Sequence, residues 1–352
     1  MSIYAASLLV MAGADGETLR ELQRLLRIPD RLCPDDVHSA FGPMILNYFK
    51  GSAEMDLALA NRLFLLRPIE ILPDYTNQVE ACYESSVELI AALLDPEAQR
   101  YHMNTWVSKN TKDKIKELLP CGSVDNNTVL AIINALYFRG TWVKPFDKMA
   151  TCESDFYCLN GEIMKVQMMF KKTYFPVASF KELDCVGIKL PFQSNGLNCR
   201  WDMLVLLPNE RTGLSKLLSQ LRAPSKIASV LSETFVEQEV HLNLPKFKFS
   251  EGEPLDVKEV FENCGVKQLF GAGADLSKLS KFKIFVSDAL HKSILELDEE
   301  GATAAAATYF RMAKSASFNF VKMRVEHPFV VALICDSKLP AFIGHVVKPE
   351  YK

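Results

Sequence analysis

The chain has 352 residues, is 49% hydrophobic and carries a net charge of −3 with both signs interspersed. That length and apolar content suffice for a large core, and no Pro/Gly/Ser-rich linker divides the sequence, so one domain over 1–352 is expected. The near-neutral charge argues against a nucleic-acid or membrane-surface partner, and no apolar run reaches the roughly 18 residues of a membrane span.

The first element, "IYAASLLVMAGA", has the apolar character of a signal-peptide core ending in small residues. No Lys or Arg precedes it, so a buried helix stopped by Gly13 and Gly16 is the better reading. After Gly16, Thr18 is the expected cap of a helix with Leu19, Leu22, Leu25 and Leu26 on one face, ended by Pro29. Residues 35–50 and 73–92 also read as helices. "MNTWVSKNTKDKIKELLP" places Val107, Thr111, Ile115 and Leu118 on one helical stripe, with Pro120 as its stop.

The texture then changes. "TVLAIINALYF" is a near-continuous apolar run rich in β formers, as expected of a strand covered on both faces, and "WDMLVLLP" is similar. "VHLNLPKFKF" alternates, with Val240, Leu242 and Leu244 to one side and His241 and Asn243 to the other. A helix is expected near Pro254–Gly265. "HPFVVALIC", "DSKLP" and "AFIGHVV" read as the strand, turn and strand of a buried hairpin. Helices come early and strands late, with no repeat, so the class is α+β.

Local chemistry is sparse. Nine cysteines include no C-x-x-C pair, so free thiols are expected rather than a disulfide framework. Free thiols fit a reducing compartment, although secreted proteins also carry them. Asn126-Asn127-Thr128 is a glycosylation sequon of a kind that arises often by chance. The six histidines show no metal-ligand spacing. There is no H-E-x-x-H, G-x-S-x-G or Walker loop, and "GAGAD" lacks the third glycine of a dinucleotide loop. Neither an enzyme nor a bound cofactor or metal is expected.

One segment stands apart, "LDEEGATAAAATYFRMAKSASFNF" from Leu297 to Phe320. Extended, it would put Ala302, Ala304, Ala306 and Thr308 on one face and Thr303, Ala305 and Ala307 on the other. Every side chain is small until Tyr309. Alanine favours helix over strand, so composition alone reads this as a surface loop or exposed helix.

With its approach, "VSDALHKSILELDEEGATAAAAT", the segment resembles the hinge of the serpin family, and the resemblance covers essentially the whole chain. "MSIYAASLLVMAGADGETLRELQRLL" is similar to the serpin second and third helices. "MNTWVSKNTKDKIKELLP" resembles the helix across the main sheet, and "INALYFRGTWVKPFD" the next central strand and breach. "LNLPKFKF", "EHPFVVALI" and "PAFIGHVVKP" also fit. The resemblance implies an α+β serpin fold, with helices packed on three β-sheets and an exposed reactive-centre loop. It implies a monomeric suicide inhibitor, without cofactor, that traps a serine protease as a covalent acyl complex when its cut loop inserts into the sheet. A non-inhibitory carrier, chaperone or storage role is the alternative. The family also points to the extracellular space, with the cytoplasm left open by the free cysteines.

Roles carry over by position. Glu299, Glu300, Gly301, Ala302, Thr303, Ala304, Ala305, Ala306 and Ala307 form the implied hinge. Lys314–Ser315 is the implied reactive bond, suited to a trypsin-like protease, with Ser315–Ala316 the elastase-like alternative and Arg311 too early for full insertion. Ser2, Asn134 and His291 resemble the shutter beneath the sheet, and Trp142 resembles the breach residue. Taken alone, His291 reads equally as a core histidine, Trp142 as core packing and Lys314 as a solvated charge. Ala302, Thr303 and Asp113 depart from the family's more common Thr or Ser, Glu and Gly. The chain also begins inside the second helix, as a truncated product or as a member without the first. Residues 35–50 carry only Lys50 as a basic side chain besides His38, so no strong polyanion effect is expected there.

Overall fold

A computed structural model describes residues 1–49, 55–93, 95–194, 199–250, 252–300 and 320–351. Its helices are α1 (Ser2–Gly13), α2 (Gly16–Leu26), α3 (Pro34–Tyr48), α4 (Pro73–Tyr83), α5 (Pro96–Asn110), α6 (Leu214–Leu221), α7 (Pro224–Ser232) and α8 (Val257–Asn263). Its strands begin with β1 (Met55–Leu65), β2 (Val87–Leu89), β3 (Leu130–Gly140), β4 (Cys152–Tyr157), β5 (Ile163–Phe180), β6 (Cys185–Pro191) and β7 (Trp201–Pro208). They continue with β8 (Val236–Pro245), β9 (Phe247–Ser250), β10 (Leu255–Asp256), β11 (Val286–Leu297), β12 (Val321–Arg324), β13 (Phe329–Cys335) and β14 (Leu339–Val346). The chain divides into two compact units: Met1–Lys50, Leu57–Tyr137 and Ser250–Ile294 form one, and Gly51–Asp56, Phe138–Phe249 and Leu295–Lys352 the other.

A six-stranded sheet has the order β10-β11-β3-β1-β2, with β9 also pairing β11. β11 is hydrogen-bonded directly to β3, with no strand between them. In the first unit, alternation along β3 sorts its side chains. Ala131, Ile133, Ala135 and Tyr137 pack with Ala58, Ala60 and Phe64 of β1 against Met103 and Val107 of α5. Ile132 and Asn134 point the other way, toward Ile3, Ala6 and Ser7 of α1. Each large apolar side chain buried this way contributes about 1.5–3 kcal/mol.

Several expected boundaries move. Asp15 rather than Thr18 caps α2, and the Thr18 hydroxyl instead accepts the Asp275 N–H at 2.9 Å. The helix expected over 73–92 stops at Tyr83, where Glu84 turns left-handed (φ 47°), and β2 follows. The helix expected to reach Pro120 ends at Asn110. Lys112 and Asp113 are left-handed (φ 53° and 58°), a conformation that breaks an α-helix. Thr111, Ile115 and Leu118 are buried as their stripe required, but in a returning segment. Asn104 pins that return, its Oδ1 accepting the N–H groups of Leu118 and Leu119, each at 2.9 Å.

The second unit holds an eight-stranded sheet ordered β12-β8-β5-β6-β7-β13-β14, with β4 pairing β5. The 18-residue β5 explains why two sheets, not three, are found among the described residues. Its Met168–Val177 stretch pairs β8, and its Val177–Phe180 end pairs β6, so one strand joins the two arrays. On one face Leu204, Leu206, Val330, Ala332 and Ile334 pack with Leu214, Leu217 and Val230 of α6 and α7. The β13–β14 hairpin forms as expected, its turn built on Asp336 and Ser337 (φ 49° and 56°).

Candidate functional site at the exit of β11

β11 runs through Asp298, Glu299 and Glu300 into the 301–319 segment. Three successive carbonyls there are held by one stretch of chain in the second unit. The Trp142 indole Nε1–H donates to the Asp298 carbonyl at 2.9 Å. The Phe146 N–H donates to that of Glu299 at 2.8 Å, and the Trp142 N–H to that of Glu300 at 3.2 Å. Trp142 is itself fixed, 1% exposed and stacked on Phe192 with ring centroids 4.3 Å apart.

The side chains add charge. The Glu299 carboxylate is 4% exposed; it accepts from Thr151 Oγ1 at 2.7 Å and pairs with Lys246 Nζ at 2.9 Å. Burial opposes a charge here, but the bonds from Lys246 and Thr151 outweigh it and hold the carboxyl below its ordinary range. Arg139 donates to Asp298 Oδ2 at 2.9 Å, and Lys148 meets Glu300 at 2.5 Å. The carbonyls and carboxylates fix where the chain leaves the strand.

A second arrangement lies in the first unit, on three adjacent strands. Asn134 of β3 accepts from His291 Nδ1 of β11 through Oδ1 and donates through Nδ2 to Asn61 Oδ1 of β1. Asn134 and His291 are 2% and 6% exposed. Burial pushes the imidazole down to about 4, so at neutral pH His291 is uncharged and a bond from its N–H ties β11 to β3.

Asn134 and His291 are thus brought together as the sequence suggested. Ser2 is buried at the start of α1, but the described partner completing the pair is Asn61, not Ser2. Trp142, Glu299 and Glu300 meet at one place. Gly301, Ala302, Thr303, Ala304, Ala305, Ala306, Ala307, Lys314 and Ser315 lie outside the described residues. Sequence reasoning missed Asn61, Thr151, Lys246, Arg139 and Asp298. Lys246, Arg139 and Asp298 lay within the quoted "LNLPKFKF", "INALYFRGTWVKPFD" and "VSDALHKSILELDEEGATAAAAT", whereas Asn61 and Thr151 had no such signal.

A family profile described as Serpin (serine protease inhibitor) matches residues 1–349. The chain belongs to the serpin family. Leukocyte elastase inhibitor of Bos taurus is 34% identical over 349 residues, covering 98% of this chain and 87% of that one. Among solved structures, Serpin48 of the insect Tenebrio molitor, titled a highly specific serpin, matches with a TM-score of 0.84 and 28% identity, covering 99% of this chain and 90% of that one. AtSerpin1 of Arabidopsis, titled as the native stressed conformation, matches at 0.86 and 25%, with the same coverages. This serpin therefore has the α+β fold expected, and the family profile it matches is described as that of serine protease inhibitors. All nine of its cysteines are free thiols.

Proposed function

We propose that this serpin is a suicide-substrate inhibitor of a serine protease, attacked at Lys314–Ser315 by a trypsin-like enzyme. The observation that carries the reading is the direct pairing of β11 with β3, next to a segment of small residues leaving the end of β11. The acyl-enzyme forms when the protease serine attacks the Lys314 carbonyl and the Ser315 amine departs. The freed segment then enters between β11 and β3 as a strand, carrying the protease with it. In this reading the Asn134–His291 bond and the Trp142, Phe146 and Glu299 contacts control the parting of the two strands. Gly301 is the hinge, and Ala302–Ala307 enter without steric or charge penalty.

The name of the Bos taurus relative favours a second reaction site, Ser315–Ala316, attacked by an elastase-like enzyme. The deciding experiment incubates the protein with trypsin-like, chymotrypsin-like and elastase-like proteases. An SDS-stable complex with a trypsin-like enzyme, releasing a peptide that begins at Ser315, is expected. A peptide beginning at Ala316 assigns the alternative bond. Cleavage without complex by every enzyme overturns inhibition and leaves a carrier or storage role.

A further inference from the structure

Exposed aromatic side chains gather on one face of the eight-stranded sheet. Along β8, Val240, Leu242 and Leu244 are buried, so Glu239, His241 and Asn243 point outward. The register gives them neighbours on that face. Lys172 of β5 and Lys322 of β12 lie opposite His241, Phe170 and Arg324 opposite Asn243, and Tyr174 opposite Glu239. Phe320, just before β12, stacks on the His241 ring with centroids 4.0 Å apart, and Phe170 packs edge-on to it at 6.4 Å. An aromatic row thus runs from β5 across β8 to the start of β12. Phe170, Tyr174 and Phe320 are nonetheless 36%, 43% and 48% exposed. Aromatic side chains edged by cations are the makeup of a protein-binding surface. Glu239 pairs with Lys172 at 3.2 Å and Glu326 with Arg324 at 2.9 Å, and Glu237 lies farther along, opposite Pro176. Among the described residues this leaves Lys322 as the cation on the face open to a partner's carboxylate.

Chain connectivity says what covers this face. Lys314 stands six residues before Phe320, a tether of about 20 Å at full stretch. A protease domain of roughly 230 residues has a radius of gyration of about 17 Å, so an enzyme gripping Lys314–Ser315 has the face within reach. We propose that the outward face of β5, β8 and β12 is a docking surface for the target protease, outside that enzyme's active-site cleft. The proposal rests on the reading of Lys314–Ser315 as the attacked bond. Phe320, Phe170 and Tyr174 seat in an apolar hollow of the enzyme, and Lys322 meets an acidic group at its edge. The contact forms before the acyl bond does, so it sets the speed of encounter and not the fate of the complex. It also separates enzymes that share one cleft chemistry. A trypsin-like protease with a carboxylate placed for Lys322 attacks faster than one without.

The test measures the second-order rate at which a panel of trypsin-like proteases attacks the 301–319 segment of the full chain, in the native sequence, Lys322→Glu and Phe320→Ser. For the enzyme that attacks the native protein fastest, each substitution is expected to slow attack about tenfold. The attacked bond and the share of enzyme trapped are expected to stay unchanged. Raising salt from about 0.05 M to about 0.5 M is expected to erase the native protein's advantage over Lys322→Glu but not over Phe320→Ser. Equal rates for the native protein and both variants, with every enzyme that cuts the segment, overturn the docking surface. The rate is read from cutting, whether or not a complex persists. Cleavage without complex therefore counts against the inhibitor reading alone, while the rate comparison still decides this one. A segment that no enzyme cuts overturns both. Both substituted side chains are exposed, and unchanged thermal midpoints check that the variants fold.

Discussion

His291 is neutral because it is buried, and the consequence is a pH window. Its folded pKa, about 4, lies below the ordinary 6.5, so the unfolded chain binds the proton more readily. Its contribution is complete above pH 6.5 and is lost as the pH falls toward 4, on the order of 2 kcal/mol by pH 5. His38, bonded to Tyr83 at 2.6 Å and also lowered to about 4 by burial, adds a loss of the same sign. Urea midpoints between pH 7 and 5 should fall steeply for the native sequence and less steeply for His291→Gln; equal slopes would place His291 outside this linkage. Glu299 gives a second prediction. Lys246→Met leaves its buried carboxylate without its cation and should lower stability by about 3 kcal/mol, read from the same midpoints. Adding Glu299→Gln should recover part of that loss, because the unpaired charge is then gone. Asn134, His291, Trp142 and Glu299 were legible because each sits in a recognisable local string. Thr151 and Asn61 were not, since their partners lie 148 and 73 residues away in the chain and nothing near them marks the meeting.

Elements were legible in kind more often than in extent. The apolar run of β3 and the alternation of β8 declared themselves because burial on two faces or one leaves a period in the sequence. The stripe from Val107 to Leu118 kept the spacing of a helix that ends at Asn110, since residues returning over the same core also need apolar side chains. Two left-handed residues, neither of them glycine, made that break invisible to propensity. Helix packing offers a test at this scale. A Cβ built on Gly42 of α3 would lie 2.1 Å from the Cys82 carbonyl oxygen of α4, so the two backbones meet where a methyl group cannot fit. Helix propensity alone makes Gly42→Ala stabilising by about 1 kcal/mol. The clash reverses the sign, and we expect a loss of about 2 kcal/mol in the urea midpoint. A gain would show that α3 and α4 separate freely.

For the whole molecule the question is which state lies lowest. β3 has 11 residues and β11 has 12, and a segment of about fourteen residues at about 3.3 Å each spans about 45 Å, enough to run their length. About a dozen new ladder bonds at roughly 1 kcal/mol net each amount to a driving force on the order of 10 kcal/mol. That is comparable to the entire stability of an ordinary domain, so the uncut fold would be a kinetic trap. Opposing entry are local contacts at two places, the Asn134–His291 bond and the carbonyl bonds from Trp142 and Phe146. In the proposed reaction these contacts would delay insertion without altering its end point, because the strand bonds gained would outnumber them. Cutting the segment with a protease that forms no lasting complex isolates this term. The nicked protein should melt tens of degrees above the intact one, and Asn134→Ala should speed the conversion while leaving the final midpoint high. A nicked chain that melts where the intact chain does would mean that no strand has entered, and a carrier or storage role would then fit the fold better than inhibition.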